Sequence, residues 1–396
     1  MCTRFRVTKK YVLFIVLNLF AFRCLVAQGK FQNNKVFLPA PSSQALKQTM
    51  TGSQKKLGTD LLQLTDQKYL PEGFTLQSHA ESMRKLNQYR YQGKDILQAS
   101  NVKEGEVYVY IYLEPNVLTG ILNPLVTKMT DIDERNHIVV AWIKVKDLEN
   151  LASLLGVKHV QSVVPPVTNT GSVTTQGDSI HKTANVRRIY SQSGTGIKVG
   201  IISDGVDHRS SAQTTNDLPA DGAGLTVLSN TYGGDEGTAM LEIVHDMVPG
   251  SALYFHDCGT NTLAFNRAID ALVSAGCKII CDDISWITEP FFEDGPVASH
   301  VASALSSNKI IYVSSAGNSG DSHYQGDYYP QPSGSSYHDF TRGGSTTLRN
   351  LYIKMTAGGT VQIVLEWNDK FGSSGNDYDL YLYSLNPSLK VAQSIN

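Results

Sequence analysis

The sequence predicts an α/β fold: a doubly wound parallel sheet, with a small α+β domain before it and a β-rich segment after it. Three observations carry this expectation. Ile197, Val199, Ile201 and Ile202 form a β-branched run with almost nothing polar between them, the pattern of a strand covered on both faces. From residue 196 to 320, short apolar runs alternate with helical stretches of about ten to fifteen residues, which implies βαβ units. Beyond about Asp321 the composition turns to Gly, Ser, Tyr and Asp, and apolar residues alternate as in antiparallel strands.

Taken in order, the chain opens with a basic head, Arg4, Arg6, Lys9 and Lys10, before an apolar run over 11–22 and the exit Leu25-Val26-Ala27. That stretch is too short to span a bilayer and reads as a signal peptide over 1–27, with an uncleaved anchor as the alternative. Bulky Phe22 and charged Arg23 argue against a lipid on Cys24, so an exported protein is expected. Residues 28–75 are polar, with few apolar positions in register, and read as a loosely packed lead-in. Strands are expected over 104–114, 137–146 and 159–164, and helices over 118–129, interrupted by Pro124, and over 147–155, stopped by Gly156. Together, 28–175 make a lead-in and an α+β domain, closed by a linker rich in Thr, Asn, Gly and Ser over 167–177.

The parallel sheet belongs to 176–335. Its first strand runs into Ser203-Asp204-Gly205. A strand over 225–228 comes next, then a helix over 236–247 ended by Pro249-Gly250, and a strand over 252–256. A helix over 263–275 places Ala264, Ala268, Leu272 and Ala275 on one face and is capped by Gly276. After it come a strand over 278–285, a helix over 296–307 and a strand over 309–315 that leads into Ala316-Gly317-Asn318-Ser319-Gly320. In 336–396, strands are expected over 351–356, 361–367 and 378–383, a β-sandwich-like insertion without a closing strand, hence incomplete. Asp369, Asp377 and Asp379 offer oxygen ligands for a structural calcium, although a solvated acidic turn is the plainer reading.

Composition excludes little but points away from two partners. The chain of 396 residues is 41% hydrophobic and 18% charged with a formal net charge of −2, which gives no reason to propose nucleic acid or, after signal removal, a membrane. Cys258, Cys277 and Cys281 fit one disulfide plus a thiol or three buried thiols, and their spacing matches no zinc site.

Chemistry collects at the strand ends. Asp204, the loop Gly233-Gly234-Asp235-Glu236-Gly237-Thr238 and Asn318 all fall at one edge of the predicted sheet. Here the chain resembles the subtilisin-like serine peptidases and their acid-active relatives, the sedolisins, over residues 180 to 320. The resemblance implies that Asp204 is the Asp closing the first strand, and that Asn318 is the oxyanion donor in Ala-Gly-Asn. Glu236 of Glu236-Gly237-Thr238 stands where subtilisins place His, as in the sedolisin pattern, where a Glu precedes Pro-Gly as Glu236 precedes Pro249. Sedolisins carry an Asp four residues after that Glu, where this chain has Met240, and an Asp where it has Asn318. The resemblance therefore implies a secreted serine endopeptidase acting on peptides or proteins, monomeric and without a required cofactor, with a Glu236–Asp204 carboxylate pair as acid and base. Like charges side by side share a proton and raise one apparent pKa, so an acid-shifted optimum is expected.

The other candidates are plainer. His245 lies nine residues after Glu236, about half a turn around the same helix, and with His256 and His300 reads as structural. Asp283, ending the 278–285 strand, reads as a third carboxylate near Glu236, a substrate-lining group or a hydrogen-bonded one. No Gly-Thr-Ser opening a small-residue helix occurs, and Gly344-Ser345-Thr346, Ser333, Ser335 and Ser336 lie in the wrong setting, so the nucleophile is expected beyond residue 396. The α+β domain fits the propeptide of such proenzymes, with a separate binding module as the alternative. The rival functions are an exported, catalytically dead peptide-binding or surface protein with a peptidase-like fold, and, more weakly, glycoside hydrolysis by the carboxylate pair.

Overall fold

The structure, a computed structural model, describes residues 2–7, 13–20, 43–87, 90–91, 94–95, 102–164, 167–168, 176–320, 322–331, 336–341, 350–355, 360–385 and 388–395. The chain divides into two compact units, one of residues 1–163, 290–293 and 319–396, the other of 164–289 and 294–318. Ser333, Ser335 and Gly344-Ser345-Thr346 lie outside the described residues.

The second unit is built on a five-stranded sheet in the order Leu225–Ser229, Ala252–Asp257, Lys198–Ser203, Ile279–Asp282 and Ile311–Ser314. Every neighbouring pair in it is parallel. The run that opens the unit thus takes the central position, and alternation explains why it is apolar throughout. Val199 and Ile201 point into a core shared with Ala212, Leu241, Leu253 and Phe255, whereas Ile202 joins Phe265, Ile269, Leu272, Ile280 and Ala304. Helices Arg209–Thr215 and Glu236–Met247 therefore cover one face, and Thr262–Ser274 and Pro296–Asn308 the other. Local chemistry sets the helix starts. The Asn261 side chain accepts from the Leu263 and Ala264 N–H groups, and Pro296 occupies the first turn of its helix, where a missing N–H is harmless. Because the chain builds one side of its first strand and then crosses to the other, the sheet has its switch point at the carboxyl end of Lys198–Ser203.

In the first unit, a four-stranded antiparallel sheet runs in the order Val126–Asp133, Ile138–Lys144, Glu106–Leu113 and Val157–Ser162, with a helix at Leu148–Ser153. The helix expected over 118–129 is not formed. A 3-10 turn, Thr119–Leu122, ends before Pro124, and Val126 opens a strand whose Thr127 and Thr130 hydroxyls donate to the Trp142 and Val140 carbonyls at 3.1 and 3.2 Å. β-Branched residues placed to bond across the sheet outweigh a weak helical period. The expectation of a loose lead-in also fails over its described part. Helix Thr59–Thr65 buries Leu61, Leu62 and Leu64 completely, together with Leu57 and Tyr69, and the Tyr69 hydroxyl donates to Gln54 Oε1 at 2.8 Å.

The β-rich part of the same unit consists of two antiparallel sheets. One orders Tyr352–Lys354, Cys2–Val7, Leu380–Ser384 and Lys390–Ser394, and the other His323–Gly326, Leu13–Phe20 and Thr360–Trp367. In each sheet a segment from 1–27 lies between partners from the far end of the chain. The last strand, Lys390–Ser394, was not expected, because its residues alternate only weakly; it pairs with Leu380–Ser384. No helix among the described residues is long and apolar enough to cross a membrane.

Candidate active site

Asp204 is the first residue beyond the central strand, and the turn after it brings it to Glu236. At Gly205 the chain passes so close to the 233–237 loop that a Cβ would come within 2.5 Å of the Gly234 nitrogen. The Asp207 N–H donates to the Gly234 carbonyl at 3.0 Å, and Asp207 Oδ2 accepts from the Gly234 N–H at 3.0 Å. Asn230 completes the stitch, donating to Asp207 Oδ1 and accepting from the Val206 N–H, each at 2.9 Å. Gly234 itself has φ +135°, and a Cβ there would overlap Asp204 Oδ2. Only glycine fits that conformation beside that carboxylate.

The loop delivers the amino end of a 12-residue helix to Asp204. Asp204 Oδ1 accepts from the Gly205 N–H at 2.6 Å and from the Glu236 N–H at 2.9 Å, and the Gly237 N–H adds a third bond. A helix amino terminus favours a negative charge. Burial nonetheless raises the Asp204 carboxyl above its ordinary range; the three N–H groups oppose the shift, and the nearby Glu236 charge adds to it. Glu236 is the first residue of the helix, and its Oε2 is buried with no hydrogen bond among the described residues.

A third carboxylate joins them. Ile202 stands beside Asp282 in the sheet, so Ser203 and Asp283 come next, side by side. By alternation both share the face of Ile201 and Cys281, the one covered by the Glu236–Met247 helix. The Ser203 hydroxyl donates to Asp283 Oδ1 at 2.9 Å, and Asp283 is only 7% exposed. Burial pushes Asp283 up to about 7; Ser203 works against this, while the charges of Glu236, Asp204 and Asp282 reinforce it. Sequence alone left Asp283 among three readings, although two acids closing an apolar strand, Ile279-Ile280-Cys281-Asp282-Asp283, were a usable signal.

Two other buried acids are structural. Asp257 accepts from the Ser229 hydroxyl at 2.5 Å and from the Thr231 and Gly259 N–H groups at 2.7 and 3.0 Å. Asp282 accepts from the Ser314 hydroxyl and the Ile284 N–H at 3.0 and 3.1 Å. Glu289, raised to about 7 by burial, receives the Val297 N–H at 3.3 Å and closes the start of its helix.

The remaining candidates separate clearly. Asn318 comes after the edge strand Ile311–Ser314 and is exposed, and no hydrogen bond among the described residues joins it to Asp204 or Glu236. His256 Nδ1 lies 2.7 Å from the Asp257 carbonyl, and His300 Nε2 lies 2.8 Å from Asp270 Oδ1 on the neighbouring helix. Cys258, Cys277 and Cys281 are free thiols. Burial pushes Cys277 up to about 11, Cys281 up to about 12 and Cys258 well above its ordinary value, which suits packing rather than attack. Sequence reasoning missed one feature within the linker: Val167–Thr168 pairs antiparallel with Ile284–Ser285, immediately after Asp283.

No group of three or more His, Cys, Asp or Glu among the described residues is arranged to hold a metal. At the acidic turn, Asp369 accepts from Ser374 Oγ at 2.6 Å and from the Asn376 N–H at 2.8 Å, while Lys47 Nζ sits 2.7 Å from Asp377 and 2.6 Å from Asp379. An ammonium already lies where a cation would go. Adding calcium or a chelator should therefore leave the melting temperature unchanged, and a rise on titrating calcium into the chelator-treated chain would refute this.

No family model matches this chain, and no curated protein matches it. Among solved structures it is similar to a crystallised mutant of the epidermin leader peptide processing serine protease (EpiP) from Staphylococcus aureus, at 15% identity and a TM-score of 0.30. The match covers 45% of this chain and 50% of that one, so the chain spans about half the length of that structure.

Proposed function

We propose that this chain carries the acid–base part of a secreted serine endopeptidase of the subtilisin and sedolisin type. The observation that carries the reading is the gathering of Asp204, Glu236 and Asp283 at the switch point of a parallel sheet, where ligands of open α/β sheets bind. In the proposed reaction, Glu236 takes the proton of a serine hydroxyl as its oxygen attacks the peptide carbonyl, then returns it to the leaving amine. Asp204, bonded to three N–H groups, anchors the loop that presents Glu236. Asn318 is assigned to the oxyanion, which requires the exposed turn carrying it to reach the bound substrate, a contribution of about 3 kcal/mol in such sites.

The serine is proposed to lie beyond residue 396. Substrates are peptides or proteins and the working unit is a monomer. Neither nucleic acid nor a membrane takes part, and no cofactor is needed. The basic head and apolar run of 1–27 support export. Residues 28–175 are assigned a propeptide role, supported by Val167–Thr168, which lies along Ile284–Ser285 beside the carboxylates as an extended peptide would.

A second reading, an exported peptide-binding protein with a peptidase-like fold, is favoured by one observation: among the described residues no hydroxyl is bonded to Glu236 Oε2. A fluorophosphonate probe and an unstructured protein substrate separate the two. The 396-residue chain should neither be labelled nor hydrolyse the substrate. The open reading frame carried to its natural stop should do both, with an optimum below about pH 7. Activity in the 396-residue chain would place the nucleophile inside it. Inactivity of the product of the whole frame would leave the peptide-binding reading, and an optimum above about pH 8 would remove Glu236 as the base.

A further inference from the structure

We infer that the helical segment 54–87 is held to the four-stranded sheet of the first unit by an acid-sensitive latch. His79 and His159 close on the turn 56–60 and must stay neutral for that turn to remain seated. The inference goes beyond the peptidase reading and does not depend on it.

The latch is built where the helical segment meets the edge strand Val157–Ser162. The Gly58 N–H donates to the Val160 carbonyl at 2.8 Å, and Leu57 bridges to Val160. Asp60 Oδ2 accepts from the Ser162 hydroxyl, and its Oδ1 accepts from the Leu61 N–H at 2.9 Å. His159 stands in the same strand, one residue before Val160, and its ring bonds the Lys56 carbonyl. His79, on helix Leu76–Asn87, places Nε2 3.0 Å from the Asp60 carbonyl. Four residues on, along the same face of that helix, Met83 is buried. One short turn thus carries contacts from both the sheet and the second helix, and its release loosens both. A carbonyl only accepts, so each ring donates one N–H there, and a further proton brings a full charge into a poorly hydrated place.

Burial lowers the midpoint of each ring below the ordinary 6.5; the carbonyl bonds and the Asp60 charge oppose this without cancelling it. The Asp60 charge acts on both rings. Around His79, Glu81 and Arg84 of its own helix pair with each other. Lys103 and Glu104 stand on the turn packed against that helix, Glu104 pairing with Lys146, and Glu366 on the adjoining strand receives the Phe291 N–H. Around His159, Lys158 points to the opposite face, and Lys55 and Glu114 are exposed. Glu149 accepts from the Gln54 amide, and the neighbouring ring is Tyr112, at 6.1 Å between centroids. The sign follows from proton binding. Below 6.5 the open form takes up protons that the closed form refuses, so closure is fully stable above that value and weakens as pH falls toward the folded midpoints. The second unit responds in the opposite direction, because Asp283 and Glu289, raised to about 7 by burial, hold protons in the folded state. Acid therefore opens the first unit while it firms the second.

NMR of methionine methyls and histidine ring protons on the purified 396-residue chain reads both units at once, without any catalysis. Met83 reports on the latch helix, and Met240 and Met247 report on the second unit. Between about pH 7.5 and about pH 5 the Met83 methyl should pass to its unfolded position while Met240 and Met247 hold theirs. Each histidine should raise the opening constant up to about tenfold per pH unit below about 6.5, and the pair up to about a hundredfold. In the closed form both rings should titrate below 6.5. Glutamine keeps an N–H for the carbonyl but takes up no proton, so the double variant His79→Gln/His159→Gln should stay closed at about pH 5. Asp60→Asn, whose amide can still bond Leu61 and Ser162, should lower both ring midpoints and move the opening to higher pH. Ring midpoints of 6.5 or above in the parent chain would overturn the latch, and these are read whether or not a variant folds. So would a Met83 methyl unmoved at about pH 5, or a double variant that opens over the same pH range as the parent.

Discussion

Gly234→Ala should lower the melting temperature of the second unit by about 6–12 °C, about twice the fall expected for Gly233→Ala. The two glycines are neighbours in one loop and both have positive φ, at +84° for Gly233 and +135° for Gly234. An alanine at either position takes on backbone strain of about 1–3 kcal/mol. They differ in what the new methyl meets. At Gly233 the nearest atom is Asp207 Oδ2 at 3.4 Å, an ordinary contact, whereas at Gly234 the methyl overlaps the Asp204 carboxylate. Relief requires Asp204 to leave its N–H donors or the 233–237 loop to lift from Gly205. Losing one hydrogen bond to a charged group removes about 1.5–3 kcal/mol. Strain and lost bonds together come to about 3–5 kcal/mol, which for a unit of this size gives the stated shift. Thermal melts of the two variants decide it. Equal, small shifts for both would mean that Asp204 is not seated against the loop.

That same loop shows how much was legible beforehand. The bounds of helix Glu236–Met247 could be read directly, because the glycines before it and Pro249-Gly250 after it punctuate the chain on both sides. The central strand was equally plain, since burial on both faces leaves no polar position in Val199-Gly200-Ile201-Ile202. Reading failed where pairing is long-range. Nothing local in Leu13–Phe20 announces partners at Thr360–Trp367, and an apolar run alone cannot choose between strand and helix. Val126–Asp133 was misread for the same reason, its helical spacing being accidental and its threonines bonding to a strand that sequence could not place beside it. Within the site, the Asp204 and Glu236 motifs stood out, but the depth of Asp283 did not. Its position depends on the register between two strands far apart in the chain, which the pairing of Ile202 with Asp282 sets.

Glu236→Gln should reduce hydrolysis by the product of the whole reading frame about a thousandfold at every pH, the scale of a lost general base. Glutamine keeps the shape and the helix start but cannot accept the serine proton. The same substitution should make the protein more stable at about pH 8, by about 1–2 kcal/mol. The sign comes from proton binding. Asp283 has a folded pKa of about 7 against an ordinary 3.8, so between these values the folded chain holds a proton that the unfolded chain has released. Stability is therefore greatest at the acid end and falls as pH rises through that window, after which it is level. Asp204, also raised, contributes in the same direction. Removing the Glu236 charge lowers both midpoints and so shrinks the loss on the alkaline side, leaving stability near about pH 4 almost unchanged. Paired measurements of activity and of denaturant stability at about pH 4 and about pH 8 test this. A variant that loses activity and gains stability only on the alkaline side is the signature of a charge held against its environment for chemistry. Loss of stability there would instead make Glu236 a structural residue, and the acid–base role would pass to other groups.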